Sequence, residues 1–493
     1  MRKNWLAKSI LKIVTIRNDR VCYFIPDFLK FVKLFFLICI ASLAAVFTGP
    51  AQTRTLRIVS YNIEADFTNA VYPTWSSVGP PLPGLIAPPS NPGAVTNGGV
   101  LEGIGEELVN GNAQPIDILA LQETTSNPLT VAPIVSALNT FYGVAGMYSN
   151  SSYQATESFG DPTFGNGPNA VVFNTRAVQL LASTPVDPPG GTSQLGSKSS
   201  GRSGMYREVM RYKFAPAGVA TNATNIFYVY VSHYKSNAGS FANDTNSRAG
   251  EAAIVRGNMM TNLPAGARIL HVGDFNTGDA SEPMYGILTA PGTNQLIDPL
   301  NPSRDLTTNW DGGGFPVNLT ESTMSLQYRD DYHMMTTNIY YGSGSGLKLI
   351  SGTYHVFGNN GTTPYLGTVN SGSNTSLTNR LATNGPVFIT AAQLYKDLTN
   401  ASDHLPVVAD YTIPVPAPLF TGVSIAGTNL VVTVTNSATG GVYLVLMSTN
   451  LSLPLTNWTI LATNVASGNS FIFTATNAVN PAATNRFYLL QQR

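Results

Sequence analysis

Short apolar runs rich in β-branched and aromatic residues recur along the chain, and each ends at a polar group or a turn. Seven of them stand out: "LRIVSYNI" (56–63), "IDILALQE" (116–123), "NAVVFNT" (169–175), "NIFYVYVSHY" (225–234), "ARILHVGDF" (267–275), "DYHMMTTNIY" (331–340) and "HLPVVADYTI" (404–413). Runs of this kind predict buried strands. Between some of them, "GGVLEGIGEELVNG" (98–111) and "SRAGEAAIVRGNMM" (247–260) place apolar residues on one helical face. The pattern predicts an α/β domain in which sheets are covered by helices.

The pattern changes in three places. The Pro-rich stretch 72–93 and the Gly/Asn/Ser/Thr-rich stretch 342–384 read as surface insertions. After Tyr411, "IPVPAPLF" reads as a stiff linker, and beyond it strands alternate with Asn/Ser/Gly turns. We therefore predict a large α/β domain over residues 53–413 and a small all-β sandwich over residues 414–493.

The N-terminus has the composition of a targeting segment. Lys30 and Lys33 precede the apolar run "FFLICIASLAAVF" (35–47), which is shorter than the roughly 18 residues of a membrane-spanning helix. We predict a secretory leader over residues 1–52, cleaved between Ala45 and Arg54, and hence a secreted, periplasmic or cell-surface protein. An uncleaved N-terminal anchor is the less favoured alternative.

Composition narrows the function further. Charged residues make up only 11% of the chain, against roughly 25% in an average globular protein. Residues 1–50 hold eight of the 27 Lys and Arg and two of the 27 acids, so the remainder has 19 basic and 25 acidic residues and a net charge of about −6. Both cysteines also lie in the leader, which leaves no thiol for a disulfide, a metal or a nucleophile.

Polar side chains stand at the ends of the predicted strands, where ligands gather in α/β sheets. In chain order they are Asn62, Glu123, His233, Asp274 with Asn276, Asp331, and Asp403 with His404. Any one of them alone is better explained as a cap, a turn former or a buried histidine. The ordered set is not, and its carboxylates are hard oxygen ligands that suit Mg²⁺, Mn²⁺ or Ca²⁺.

The set resembles the motifs of the endonuclease/exonuclease/phosphatase superfamily, over roughly residues 54–413. The matching stretches, in the family's order, are "SYNIE", "LQE", "VSHYKS", "GDFN", "RDDYHM" and "SDHLPV". "YREVMRYKF" is similar to the segment that brings an Arg, here Arg207, to a substrate phosphate. The resemblance implies a deoxyribonuclease-like fold, a two-layered β-sandwich flanked by helices.

The resemblance also implies roles for these residues. Glu123 and Asp403, with Glu64 or Asn62, would hold the metal, while Asp274 and Asn276, predicted on one face of a strand end, would position and polarise the attacking water. His404, oriented by Asp331, would donate to a nonbridging phosphate oxygen. His233 would protonate the leaving group. The acid that orients this histidine in the deoxyribonuclease branch has no clear match here; Asn169 is near the expected place and Glu157 is a second candidate.

Three functions follow from the sequence. The first is an exported, metal-dependent endonuclease that cleaves DNA, RNA or both, with no obligate protein partner. The second is the same chemistry on a phospholipid or a sugar phosphate. The third is a non-catalytic surface-binding protein. The complete set of acids and histidines disfavours the third, and we expect the β module to attach the enzyme to a cell surface or matrix.

Overall fold

The computed structural model describes residues 52–65, 84–86, 99–109, 111–124, 130–151, 169–186, 209–219, 221–237, 241–382, 389–415, 418–437, 442–466, 470–479 and 486–492. Its α-helices are α1 (Val100–Glu106), α2 (Ala132–Phe141), α3 (Phe241–Thr261), α4 (Pro283–Leu288), α5 (Thr337–Tyr340) and α6 (Ala391–Ala401). The chain divides into two compact units: the first comprises residues 54–216 and 221–414, and the second comprises residues 415–493, with which residues 1–53 and 217–220 are grouped.

The first unit contains two facing sheets. Sheet one has the order β13-β15-β1-β4-β6-β5, with β14 also paired to β15. Its strands are β1 (Gln52–Asn62), β4 (Ile116–Gln122), β5 (Tyr148–Asn150), β6 (Ala170–Asn174), β13 (Lys348–Leu349), β14 (His355–Val356) and β15 (Val407–Val415).

Sheet two has the order β11-β12-β10-β9-β8-β7. Its strands are β7 (Val178–Pro185), β8 (Met210–Pro216), β9 (Phe227–His233), β10 (Ile269–Asp274), β11 (Leu296–Ile297) and β12 (Asp331–Thr336). A separate small pair joins β2 (Leu108–Val109) to β3 (Asn112–Ala113).

The sheets pack face to face because alternate residues of their strands are apolar. Ile58 and Ile118 of the first sheet share a buried cluster with Val231, Val272 and Met335 of the second. The opposite face of sheet one packs against helices α1, α2 and α6, and that of sheet two against α3 and α4. The predicted two-layered β-sandwich flanked by helices is confirmed.

The stretch from 342 to 384 is not the surface insertion that its composition predicts. Strands β13 and β14 within it extend sheet one through β15. Phe357, Val369 and Leu377 are buried in the core beneath sheet one. Its Gly and Asn residues make turns between these anchors rather than an excursion from the fold. The other predicted insertion, 72–93, lies outside the described residues except for 84–86.

The second unit is all-β. One sheet has the order β16-β17-β20 and the other β19-β18-β21. Their strands are β16 (Leu419–Ala426), β17 (Asn429–Thr435), β18 (Val442–Ser448), β19 (Thr459–Val465), β20 (Ser470–Ala475) and β21 (Phe487–Gln492). Val432, Phe473 and Tyr443 enter one buried cluster from the two sheets, so the unit is a small sandwich. The predicted linker is shorter than its sequence indicates, because β15 continues to Val415 and β16 begins at Leu419.

The predicted leader, residues 1–52, lies almost wholly outside the described part of the chain. Within the described part, no helix combines the length and the apolar character needed to cross a membrane.

Candidate active site

Strand register brings the polar strand ends together. In sheet two, β10 pairs with β9 and β12 so that Asp274 lies beside both His233 and Asp331. In sheet one, β1 runs parallel to β4, and Asn62 is level with Gln122, one residue before Glu123. The carboxyl-terminal ends of these parallel strands therefore meet at one edge of the sandwich.

Asn62 is the centre of the hydrogen-bond network at this edge. Its Nδ2 donates to Asp274 Oδ2 at 3.0 Å and to Glu123 Oε1 at 3.1 Å, and lies 3.5 Å from His404 Nε2. Its Oδ1 accepts the Glu64 N–H at 3.1 Å. The side chain is fully buried. Asn62, predicted as a metal neighbour, thus joins the two sheets through Nδ2, while its Oδ1 accepts a hydrogen bond from the backbone of Glu64.

His404 is held by Asp331. Its Nδ1 lies 2.7 Å from Asp331 Oδ2, which leaves Nε2 directed towards Asp274 Oδ2 at 3.8 Å and Asp403 Oδ1 at 3.6 Å. Burial lowers the pKa of the ring, but the three carboxylates outweigh it and raise the pKa of His404 well above its usual value. These carboxylates therefore favour the protonated ring, in which Nε2 carries an N–H.

Asp274 is a buried carboxyl within reach of both catalytic histidines predicted from the sequence. His233 Nε2 lies 3.4 Å from Asp274 Oδ2 and 3.4 Å from Glu123 Oε1. Burial, together with the charges of Asp331 and Glu321, raises the pKa of Asp274 to about 7, against the opposing effects of His404 and Asn62. A carboxyl with a pKa near neutrality has the value expected of a general base.

The residues next to Asp274 explain the "GDFN" sequence. A Cβ on Gly273, whose φ is +139°, would lie 1.9 Å from the Ser232 carbonyl oxygen of β9, so only glycine permits this close strand pairing. Phe275 is fully buried, with its ring centroid 5.0 Å from those of Tyr234 and Tyr332. The end of β10 is thus fixed by its close pairing with β9 and by the packing of Phe275 against Tyr234 and Tyr332.

Asn276 does not continue the strand alternation that its predicted role assumed. Strand β10 ends at Asp274, and Asn276 has a left-handed backbone with φ 54°. Its N–H donates to Asp274 Oδ1 at 2.8 Å, and its Nδ2 donates to the Tyr234 carbonyl at 3.0 Å. In this arrangement Asn276 fixes the Asp274 carboxylate and the loop after His233.

Two of the predicted metal ligands also stand at left-handed positions just beyond a strand. Glu64 has φ 48° and Glu123 has φ 55°. Glu64 Oε2 accepts the Asp403 N–H at 3.3 Å. Burial and the neighbouring Asp403 carboxylate raise the pKa of Glu64 to about 8. Burial likewise raises the pKa of Asp403, against the opposing charge of His404, so two carboxyls with raised pKa values lie side by side.

The donors fit a hard divalent cation. Among the residues that the structure describes, two groups of side chains have ligand atoms within 4.8 Å of one another: Glu123, His233 and Asp274, and Glu321, Asp403 and His404. Asp403 Oδ1 is buried and accepts no hydrogen bond from the described residues. Carboxylate-rich sets of this kind suit Mg²⁺, Mn²⁺ or Ca²⁺. The predicted ligands Glu123 and Asp403 fall in different groups.

Glu321 is the site residue that the sequence did not reveal. It lies in a loop without apolar periodicity and reaches the site through a backbone bridge to His404. Asp330, the first Asp of "RDDYHM", is also buried beside Glu321, and burial followed by that neighbour raises its pKa well above the usual value. Two other predicted residues, Arg207 and Glu157, lie outside the described residues. Asn169 is described, and its Nδ2 donates to the Val231 carbonyl at 3.2 Å.

Two facing sheets with acids and histidines at one edge are the arrangement that the sequence motifs predict. No family model and no curated protein matches the chain. Among solved structures, it is similar to the human Nocturnin catalytic domain with bound sulfate, at 15% identity and TM-score 0.35, covering 60% of this chain and 80% of that one. It is also similar to an endonuclease/exonuclease/phosphatase family protein from Bacteroides thetaiotaomicron, at 12% identity and TM-score 0.38, covering 74% and 96%. A third is ANGEL2, a 2',3'-cyclic phosphatase, at 14% identity and TM-score 0.37, covering 74% and 99%.

Proposed function

We propose that this chain is a divalent-metal-dependent phosphodiesterase of the endonuclease/exonuclease/phosphatase family. The observation that carries the proposal is the meeting of Asp274, His233 and the His404–Asp331 pair around Asn62, whose amide bonds to Asp274 and Glu123 from the two sheets. Each of these groups has a distinct task in the hydrolysis of a phosphodiester.

Asp274 is the general base. Its pKa of about 7 allows it to accept a proton from water at neutral pH, and the hydrogen bonds from Asn62 and Asn276 fix which oxygen lone pairs face the site. Water bound to Asp274 is thereby oriented for attack on phosphorus.

The two histidines act on the phosphate oxygens. His404, kept cationic by Asp331, donates from Nε2 to a nonbridging oxygen and stabilises the charge that develops there. His233, on the neighbouring strand end, supplies a proton to the departing alkoxide. Mg²⁺, Mn²⁺ or Ca²⁺ held by Glu123, or by Asp403 with Glu64, would supply Lewis-acid neutralisation of the phosphate charge.

The wider setting of the enzyme stays as the sequence predicts it. Nucleic acid is the first substrate class to test, with phospholipids and sugar phosphates as the alternatives. The leader supports export, and the separate all-β unit supports attachment to a surface.

The proposal is tested with bis-p-nitrophenyl phosphate, plasmid DNA and RNA, with Mg²⁺ or Mn²⁺ and with EDTA. We expect EDTA to abolish turnover, and Glu123→Gln to reduce turnover greatly, with partial recovery in excess Mn²⁺. His404→Ala and Asp274→Asn should each reduce turnover about 10²-fold or more, the usual scale for losing a proton donor or acceptor in the transition state.

Asp117→Asn is the matched control for Asp274→Asn. Asp117 is equally buried, burial raises its pKa to about 7 as well, and it lies at the far end of β4 from Glu123. Turnover per folded molecule should survive this change. Full activity in EDTA, or an equal loss in the Asp117 and Asp274 variants, would refute the assignment.

A further inference from the structure

A loop over residues 320–328 lies against the segment that carries His404. We call this segment, residues 402–405, the catalytic segment. The Thr320 carbonyl accepts the Leu405 N–H at 2.6 Å. The residue next to His404 is therefore bonded directly to the loop.

Thr323 attaches the other end of the catalytic segment to the same loop. Its N–H donates to the Asp403 carbonyl at 2.9 Å, and its hydroxyl donates to the Ser402 carbonyl at 2.9 Å. Thr320 and Thr323 are only 1% and 0% exposed. The loop thus binds the catalytic segment on both sides of His404, through residues buried in the fold.

The Thr320 side chain also binds the strand that carries Asp331. Its Oγ1 accepts the N–H groups of Asp330 and Asp331, both at 3.1 Å. Strand β11 pairs with β12 only at Met335 and Thr336, so among the described strands only β10 pairs with β12 at Asp331. The Thr320 hydroxyl therefore takes the place of a second neighbouring strand at this end of β12.

One residue thus connects the two members of the Asp331–His404 pair. The Thr320 hydroxyl binds the backbone of Asp331, and the Thr320 carbonyl binds the N–H of Leu405. These two oxygens move little relative to each other, because a β-branched side chain has few χ1 rotamers. The Asp331 carboxylate needs this support, since its Oδ2 lies 2.7 Å from His404 Nδ1 while its buried Oδ1 has no hydrogen bond among the described residues.

We propose that Thr320 is a positioning residue, which fixes the distance and angle between Asp331 and His404 and thereby directs His404 Nε2 at the phosphate. The proposal rests on the phosphodiesterase function above, which gives His404 its task. Because Thr320 is buried, it acts through Asp331 and His404 rather than on the substrate.

The test compares Thr320→Val with Thr320→Ser on bis-p-nitrophenyl phosphate. Valine keeps the β-branched shape of threonine but leaves the N–H groups of Asp330 and Asp331 unbonded, whereas serine keeps the hydroxyl. We expect Thr320→Val to lower kcat about 10- to 100-fold with little change in KM, since a displacement of about 1 Å can cost 10²-fold in rate. Thr320→Ser should keep most of the turnover. If Thr320→Val does not fold, Thr320→Ala, in which a mobile water can bond to the two N–H groups, takes its place with the same expectation.

Thr353→Val is the matched control. Thr353 is likewise 1% exposed, and its Oγ1 accepts the Asp410 N–H at 3.0 Å. Asp410 binds Arg57, which lies about 17 Å from Asn62 along β1. Thr353→Val should lower the melting temperature and leave kcat nearly unchanged below the transition. An equal loss of kcat in the Thr320 and Thr353 variants, at equal loss of stability, overturns the positioning role.

A measurement without turnover separates this proposal from the function on which it rests. A short hydrogen bond to a carboxylate moves the signal of its proton downfield in the ¹H NMR spectrum, and His404→Gln identifies the Nδ1 proton of His404 among those of the five histidines. We expect this signal to shift or broaden in Thr320→Val and to remain in Thr353→Val. An unchanged signal, or an unchanged kcat, in a folded Thr320→Val or Thr320→Ala variant overturns the proposal. Failure of the unaltered protein to hydrolyse any diester overturns the function instead, and the NMR signal then decides whether Thr320 positions His404.

Discussion

Arg248 offers a direct test of how the site is kept in register. Its Nε and Nη2 bind both oxygens of Glu282 at 2.9 and 2.8 Å, while Nη1 donates to the Lys235 carbonyl at 2.8 Å and to Asn237 Oδ1 at 2.9 Å. One buried guanidinium on α3 thus ties the loop after His233 to the loop after β10. We predict that Arg248→Lys reduces turnover.

The magnitude follows from what lysine can replace. The lysine ammonium keeps a positive charge facing Glu282. It cannot make the two parallel bonds to the Glu282 carboxylate and also bond to the two oxygens that accept from Arg248 Nη1, the Lys235 carbonyl and Asn237 Oδ1. Loss of two charge-assisted bonds in a buried site should cost about 3–5 kcal/mol in the free energy of unfolding. A shift of about 1 Å in a catalytic group can cost 10²-fold in rate, so we expect kcat to fall about 10- to 100-fold.

Arg57 supplies an unusually close control. Its Nε and Nη2 bind both oxygens of Asp410 at 2.8 and 3.0 Å, and its Nη1 donates to the Ile104 carbonyl at 2.7 Å and the Glu107 carbonyl at 3.1 Å. It lies five residues before Asn62 on β1, about 17 Å along the strand. Arg57→Lys should lower the melting temperature comparably and leave kcat nearly unchanged below the transition.

The assay pairs thermal unfolding with kcat and KM on bis-p-nitrophenyl phosphate for both variants. Arg248 is a positioning residue if Arg248→Lys lowers kcat but not KM and also changes the limb of the pH profile that reports His233. If the two variants lose the same fraction of kcat at the same loss of stability, Arg248 supports only the fold and the reasoning is wrong.

Three further predictions concern stability and domain structure. Gly273→Ala should unfold or severely destabilise the protein in thermal melts, because the added Cβ would lie 1.9 Å from the Ser232 carbonyl oxygen; a stable, active variant would show that the strand pairing is looser. His355 Nε2 lies 2.8 Å from Glu107 Oε2, and this contact raises the pKa of His355 against the effect of burial. The contact therefore stabilises the folded protein fully below about pH 6.5, the pKa of an unperturbed histidine, and this stabilisation is lost as pH rises through the raised pKa of the folded state. His355→Gln should flatten the unfolding free energy measured against pH above 6.5, and an unchanged slope would contradict this origin. Truncation after residue 417 should leave a folded unit that hydrolyses a small diester, whereas aggregation would show that the all-β unit completes it.

Much of the catalytic site could be predicted because its residues stand at strand ends. Buried strands can be recognised from their apolar, β-branched composition. Parallel strands bring their carboxyl-terminal ends to one edge of a sheet, so the sequence alone could place Asn62, Glu123, His233 and Asp274 together. The partner of His404 could be predicted only through the family resemblance, because no local rule relates residues 73 positions apart.

What the sequence concealed lies in segments without periodicity. Glu321 belongs to a loop over residues 320–328 that backbone hydrogen bonds and the Thr323 hydroxyl attach to the catalytic segment. Helix α6 carried a readable signal, since Thr390 caps it and Leu394 and Leu398 share its buried face. The strand alternation used for Asn276 is wrong because β10 ends two residues earlier, and a left-handed residue after a strand has no reliable signature when it is not glycine.

The left-handed backbone at Glu64, Glu123 and Asn276 has a consequence for laboratory evolution. Residues other than glycine are strained at such backbone angles. A site with three of them therefore holds its functional side chains in place while lowering the free energy of unfolding. Glycine would relieve that cost at each position while deleting a functional group. Libraries screened only for heat resistance should therefore accumulate glycine at these three positions and yield robust proteins that no longer turn over substrate.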